Sequence, residues 1–196
     1  MAESWLSHSA LGTPQGSSGY AHGSAGRVTL RELPLPTMLD LRLDVAQAGA
    51  RVAAATALGF DLPLVPNTSG GAEGRSALWL GPDQWLVVAP GQDTPPLAAA
   101  LAGYAASIVD VSDLRAVFRL AGPMSRDVLR KGCSVDLHPR AFSTGAVALT
   151  ALARVRVILH QLDQAPTYDV YVERSVAGYM RDWLCDAMGE YLGPVA

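Results

Sequence analysis

Two chain reversals constrain what this sequence can fold into. The first is Leu78-Trp79-Leu80-Gly81-Pro82-Asp83-Gln84-Trp85-Leu86-Val87-Val88. Pro82 sits at the second position of a turn, where a φ fixed near about −65° is wanted, and the runs on either side are rich in Trp, Leu and Val, which suit a pleated surface. An antiparallel hairpin is the result. The second is Val109-Asp110-Val111-Ser112-Asp113-Leu114-Arg115-Ala116-Val117-Phe118-Arg119-Leu120-Ala121-Gly122-Pro123. Here Asp110, Ser112 and Asp113 can satisfy backbone amides at a bend between two strands.

The rest of the chain fits a sheet-and-helix alternation. Leu39, Leu41, Leu43 and Val45 alternate with Asp40, Arg42 and Asp44, the two-residue period of a strand with one wet face. An Ala-rich helix over 46–58 follows, with Gly59 as its left-handed stop. Residues 62–75 hold Pro63, Pro66, Gly70, Gly71 and Gly74 and read as a mobile loop. Thr94 and Pro95 predict a short helix over 94–103, and strands are expected at 107–111 and 115–120. Gly122-Pro123 opens a helix to about Lys131, which Gly132 closes. Strands at 146–152, 154–160 and 168–173 come next. Ser175 then caps a final helix whose Val176, Tyr179, Met180, Trp183, Leu184, Ala187 and Met188 recur at three- and four-residue spacing.

Strand, helix, two strands, helix, strand occurs once before Val111 and again, more loosely, after it. This order predicts an α+β fold of two ferredoxin-like split βαβ halves. The halves, about 37–111 and 112–196, form a single domain over 27–196. Residues 1–26 are rich in Gly, Ser and His and have no helix or strand period, so an extended or disordered N-terminal arm is expected. Its apolar residues Trp5, Leu6, Leu11 and Tyr20 leave two readings open, a solvated tail or an arm that docks on another subunit.

Composition narrows the function classes. With 18 acidic against 15 basic residues and no cationic block, nucleic acid is not an expected partner. No apolar run reaches the roughly 18 residues of a membrane span, and the N-terminus lacks the basic start and apolar core of a secretory signal. Cys133 and Cys185 form no CxxC, which fits a reducing cytoplasm and argues against a thiolate metal site. His8, His22, His138 and His160 are dispersed, so no metal ligand set is evident. Gly70-Gly71-Ala72-Glu73-Gly74 shares only composition with a phosphate loop, because no apolar strand precedes it. Neither Cys133 nor Ser112 has a local signature of a nucleophile. Charged residues make up only 17% of the chain. Trp79 and Trp85 therefore suit either a core or a permanent subunit interface, and together with Trp5, Leu6, Leu11 and Tyr20 they are the candidate interface residues.

Order and spacing along most of the chain add a resemblance. It runs through Val28-Thr29-Leu30-Arg31-Glu32, Leu58-Gly59-Phe60-Asp61-Leu62-Pro63, the 79–86 hairpin, Val109-Asp110-Val111-Ser112-Asp113, Val135-Asp136-Leu137-His138-Pro139 with Phe142, and Glu173-Arg174-Ser175. In these segments the chain resembles the gamma subunit of heterotetrameric sarcosine oxidase. The resemblance implies a non-catalytic subunit of an enzyme that demethylates sarcosine oxidatively to glycine, with hydrogen peroxide and formaldehyde or methylene-tetrahydrofolate as the other products. It implies alpha, beta and delta subunits as partners. FAD, FMN, NAD and zinc would belong to those partners, with no catalytic, cofactor or metal residue in this chain.

The second half also resembles the folate-binding aminomethyltransferase superfamily, through Asp110-Val111-Ser112, Val117-Phe118-Arg119-Leu120-Ala121-Gly122, Asp127, Leu129, Asp136 and Gly145. That likeness implies the fold, and as a rival reading a stand-alone folate-dependent aminomethyl transferase. In that superfamily a Gly-Gly pair and an acidic pair follow the strand at 146–152, and here Arg154 and Arg156 stand in the region instead. Folate turnover is therefore not expected. Lys131-Gly132-Cys133 is similar to a motif of folate-binding proteins of iron–sulfur maturation, but it continues Ser134-Val135-Asp136 rather than with an aromatic residue and Gly-Gln-Glu.

Overall fold

The structure, a computed structural model, describes residues 9–11, 21–24, 26–91 and 93–192. In chain order the first elements are β1 (Ala21–Ser24), β2 (Val28–Glu32), β3 (Thr37–Leu43), α1 (Ala48–Leu58), β4 (Ser69–Ala72), β5 (Arg75–Gly81), β6 (Gln84–Ala89), α2 (Leu97–Ala100) and β7 (Ala106–Asp110). There follow β8 (Arg115–Ala121), α3 (Ser125–Arg130), β9 (Val147–Leu152), β10 (Val155–Gln161), β11 (Thr167–Glu173) and α4 (Ala177–Met188). Two compact units result, one of Pro36–Ser112 with Gly145–Ala148, the other of the segments on either side of these.

The unit around Pro36–Ser112 carries a sheet in the order β4-β5-β6-β3-β7. Without the edge strand β4 this is the split βαβ order, since β3 and β5 flank β6 and β7 returns beside β3. Leu39, Leu41 and Leu43 of β3 enter a core shared with Ala50, Ala54 and Leu58 of α1, which lie four residues apart on one helix face. Gly59 ends α1 with φ 86° and donates its N–H to the Ala55 carbonyl at 2.8 Å, the expected left-handed stop.

In the hairpin Trp79 and Trp85 are register partners on one face of β5 and β6. Trp85 has no exposed surface, and its indole N–H donates to the Pro63 carbonyl at 2.8 Å, so the ring satisfies its one polar atom inside an apolar core. Trp79 is half-buried and packs on the same cluster.

Two expectations fail in this unit. Residues 69–72 are not loop: Gly70 pairs with Ala77 and Gly71 with Ser76 in β4, and Glu73 (φ 52°) and Gly74 (φ 82°) make the tight turn into β5. A strand half made of glycine shows no side-chain alternation, which is why the pattern was invisible. The helix expected at 94–103 shrinks to the four residues of α2, with Pro96 rather than Thr94 at its N-terminal boundary. Pro95 and Pro96 in succession leave little room for regular helical hydrogen bonding there.

The other unit has the sheet order β1-β2-β8-β11-β10-β9. Its split βαβ order is β10-β11-β8-β2, so the fourth strand comes from the N-terminal side of the chain and not from beyond α4. Val28 and Leu30 of β2 are fully buried. β1 pairs with β2 from Ala21↔Arg31 to Ser24↔Val28, so a strand forms inside a segment that shows no period in sequence. Gly122 (φ 114°) lets the chain pass here, because a Cβ at that position would lie 2.5 Å from the Arg27 carbonyl oxygen.

Helix α4 buries Ala177, Met180, Leu184, Ala187 and Met188. Its start departs from expectation: Ser175 lies within a 3-10 turn over Arg174–Val176 and makes no cap to α4. At its other end the Lys131 ammonium donates to the Ala187 carbonyl at 2.6 Å and sits 4.8 Å from the centre of the Tyr191 ring. A cation at the carbonyl end of a helix complements its dipole.

Trp85→Ala is expected to cost about 3–5 kcal/mol of stability, through a cavity and an orphaned Pro63 carbonyl. Trp79→Ala is expected to cost roughly 1–2 kcal/mol, since that ring already meets solvent. Urea unfolding followed by circular dichroism measures both, and equal losses would refute this assignment of the two rings.

Candidate functional site

Strand alternation gives the sheet of β8, β10 and β11 two different faces. Phe118, Leu120, Tyr168, Val170, Val172 and Leu159 share one of them, where Tyr168 stacks on Phe142 with ring centres 6.4 Å apart. Val117, Arg119, Asp169, Tyr171, Ile158 and His160 share the opposite face, which is apolar at Val117 and Ile158 but otherwise polar. Arg119 and Asp169 are cross-strand partners. The guanidinium donates from Nε and Nη2 to the two carboxylate oxygens, both at 2.8 Å, in a bidentate fork.

His160 is the next cross-strand neighbour of Asp169 and is 5% exposed. Burial pushes its pKa down to about 4, aided by the Arg119 charge and opposed by Asp169. Tyr171 is moved upward, chiefly by burial and further by the Asp169 carboxylate. Hydrogen bonding to Asp169 raises Arg119 above its ordinary value. At neutral pH the cluster is thus one ion pair beside a neutral imidazole and a neutral phenol. Such a set orders a sheet face, and it presents neither an ionised nucleophile nor a base poised near pH 7.

A second polar region lies at the strand ends. Asp110 accepts from the Ser112 N–H at 2.9 Å and from its hydroxyl at 2.6 Å, and the Ser112 Oγ accepts the Met38 N–H at 2.9 Å. The turn residues therefore serve the local backbone. Asp113 points away into solvent, 3.9 Å from Arg174, and lines a cleft of about 330 Å³ with Leu114, Arg115, Glu173, Arg174 and Ser175. Beside it, Ala10 N–H donates to the buried Glu32 carboxylate at 3.0 Å and Arg174 donates to the Ser9 carbonyl at 3.4 Å. These bonds fasten residues 9–11 to the unit.

The candidate interface residues disperse. Trp85 belongs to the interior of its unit and offers no surface to a partner, while Trp79 shows only part of its ring. Leu11 is half-buried, and Trp5, Leu6 and Tyr20 lie outside the described residues. Sequence reasoning passed over Leu64, Val65 and Pro66, which are consecutive and exposed. The signal was present as an apolar run between two prolines. Among the described residues no three His, Cys, Asp or Glu side chains are grouped to hold a metal ion, and no helix is long and apolar enough to cross a membrane. The β9–β10 turn consists of Ala153 (φ 50°) and Arg154 (φ 69°), with the Tyr179 hydroxyl donating to the Ala153 carbonyl at 2.9 Å. It holds no carboxylate that could activate a folate.

Two outcomes follow from the Arg119 cluster. His160 is depressed in the folded state from 6.5 to about 4. The unfolded chain then takes up the proton first, so stability falls as pH drops from about 6.5 to about 4 and levels off below, by roughly 3 kcal/mol in total. Denaturation midpoints across that window should flatten in His160→Gln. Arg119→Ala should cost about 3 kcal/mol at pH 7, the low end for stripping a buried carboxylate of its partner, since 40% of the arginine side chain meets solvent. An unchanged midpoint would show that the pair contributes nothing.

Comparison with known proteins places this architecture. Residues 42–190 match the sarcosine oxidase, gamma subunit family. The sarcosine oxidase subunit gamma of an Arthrobacter species is 40% identical over 182 residues, covering 89% of this chain and 87% of the relative. The corresponding subunit of Corynebacterium sp. strain P-1 is 39% identical, covering 90% and 88%. Among solved structures, a chain of the heterotetrameric sarcosine oxidase from Corynebacterium sp. U-96 in complex with pyrrole 2-carboxylate superposes with a TM-score of 0.79 at 34% identity, covering 89% of this chain and 90% of that one. The aminomethyltransferase T of the glycine cleavage system from Bartonella henselae shares the fold, with a TM-score of 0.62 at 13% identity over 83% of this chain and 45% of its own. The matches extend over both units and nearly the full length, and the chain belongs to the sarcosine oxidase gamma subunit family.

Proposed function

We propose that this chain is the gamma subunit of a working heterotetrameric sarcosine oxidase and that it contributes packing surface rather than reacting groups. The observation that carries the reading is the near full-length likeness to a chain of the Corynebacterium heterotetramer. The reaction served would be oxidation of sarcosine by oxygen, with water, to glycine, formaldehyde and hydrogen peroxide, the one-carbon unit passing to tetrahydrofolate as methylene-tetrahydrofolate where that acceptor is present. In this reading FAD, FMN, NAD and zinc are held by the alpha, beta and delta partners, and the complex works in the cytoplasm.

The neutral His160, the paired Arg119 and Asp169 and the locally engaged Asp110 and Ser112 support a structural part, because each group is already committed within the chain. Trp5, Leu6, Leu11 and Tyr20 of the N-terminal arm, with the open part of Trp79, are the proposed contacts from the first half of the chain. Asp113 and Arg174 give the cleft rim a balanced charge that suits a protein neighbour better than a free anion.

Purified alone, the chain is expected to be colourless and inert with sarcosine. Co-expressed with the other three subunits of its host's enzyme, it should co-purify and support sarcosine-dependent peroxide formation. Full activity of a complex assembled without it would remove the structural role. Stoichiometric binding of tetrahydrofolate to the isolated chain, measured by calorimetry, would favour the folate-dependent transferase instead.

A further inference from the structure

The segment between α1 and β4 is held at several points and exposed at one. Leu62 is buried, and the Pro63 carbonyl accepts the Trp85 indole N–H from the core at 2.8 Å. On the return side Thr68 Oγ1 donates to the Val65 carbonyl at 2.7 Å, the Thr68 carbonyl accepts from Trp79 N–H at 3.0 Å, and the Asn67 carbonyl accepts from Val147 N–H at 2.8 Å. Asn67 adopts φ 60°, which turns the chain back sharply. Between these anchors Leu64 (48% exposed), Val65 (65% exposed) and Pro66 stand in solvent as three consecutive apolar residues.

Single exposed apolar side chains are ordinary, but a consecutive run on a pinned loop is a feature that folding does not require. Pinning has a consequence for association: the tip is already ordered, so binding does not pay for fixing it. Charge narrows the occupant. No Lys or Arg lies between Arg51 and Arg75, and the charged residue of the loop itself is the exposed Asp61. A lipid surface would call for cations beside the apolar tip.

We infer that Leu64, Val65 and Pro66 form a preformed knob that enters an apolar socket with a basic rim on another subunit of the oxidase. The inference rests on the proposed role as gamma subunit. The test is co-expression of the full chain with the other three subunits of its host's oxidase, followed by affinity capture at low and high salt. Leu64→Asp with Val65→Asp is expected to weaken capture about tenfold or more, as loss of a central apolar anchor does, while the circular-dichroism melting curve of the isolated chain stays put. Asp61→Lys should weaken it at low salt and less at high salt. Val52→Asp, on the exposed face of α1 at 66% exposure, should leave capture unchanged. Undiminished capture of the Leu64 and Val65 double variant, or an equal loss with Val52→Asp, would overturn the knob and leave the gamma-subunit reading standing. Failure of the unaltered chain to be captured would overturn both.

Discussion

The hydrogen bond from the Trp85 indole to the Pro63 carbonyl joins the three parts on which the first half of the fold depends. Trp85 belongs to the hairpin, its ring fills the space between the sheet and α1, and its one polar atom reaches the loop that leaves α1. An indole N–H buried without an acceptor would carry a desolvation penalty, so the loop must come to it. That requirement places Pro63 against the core and leaves Leu64 and Val65 exposed between it and the anchors at Asn67 and Thr68. Packing and surface are thus set by the same contact.

In the second half the equivalent organising contact is electrostatic. The Arg119 and Asp169 fork ties β8 to β11 at the middle of the sheet, with the carboxylate almost wholly buried. The fork engages both carboxylate oxygens of Asp169 with one guanidinium. The neutral His160 beside it belongs to a face that is already buried within the chain. The chain belongs to the sarcosine oxidase gamma subunit family, and its likeness to aminomethyltransferase T concerns the fold alone.

Local chemistry was legible in the sequence, and distant pairing was not. The 78–88 hairpin could be read because turn residues and strand formers are adjacent, and α1 because its alanine content favours a helix and Gly59 supplies the left-handed stop. β4 escaped because Gly70 and Gly71 have no side chains to alternate, and Ser175 misled because a good capping residue can equally sit in a 3-10 turn. Arg119 and Asp169 stand 50 residues apart, and nothing near either one announces the other. Trp85 was ambiguous for a simpler reason: a large aromatic ring in a strand suits an interior or an interface equally, and only the packed structure separates the two.

The placement of β2 beside β8 has a consequence for how the protein is made. The neighbours of Val28 and Leu30 in β8 leave the ribosome only after residues 36–112 have emerged. At translation speeds of about 5–20 residues per second the nascent hairpin waits on the order of ten seconds with its apolar side uncovered. Until β8 appears, β2 lacks the strand that it pairs with on its inner edge.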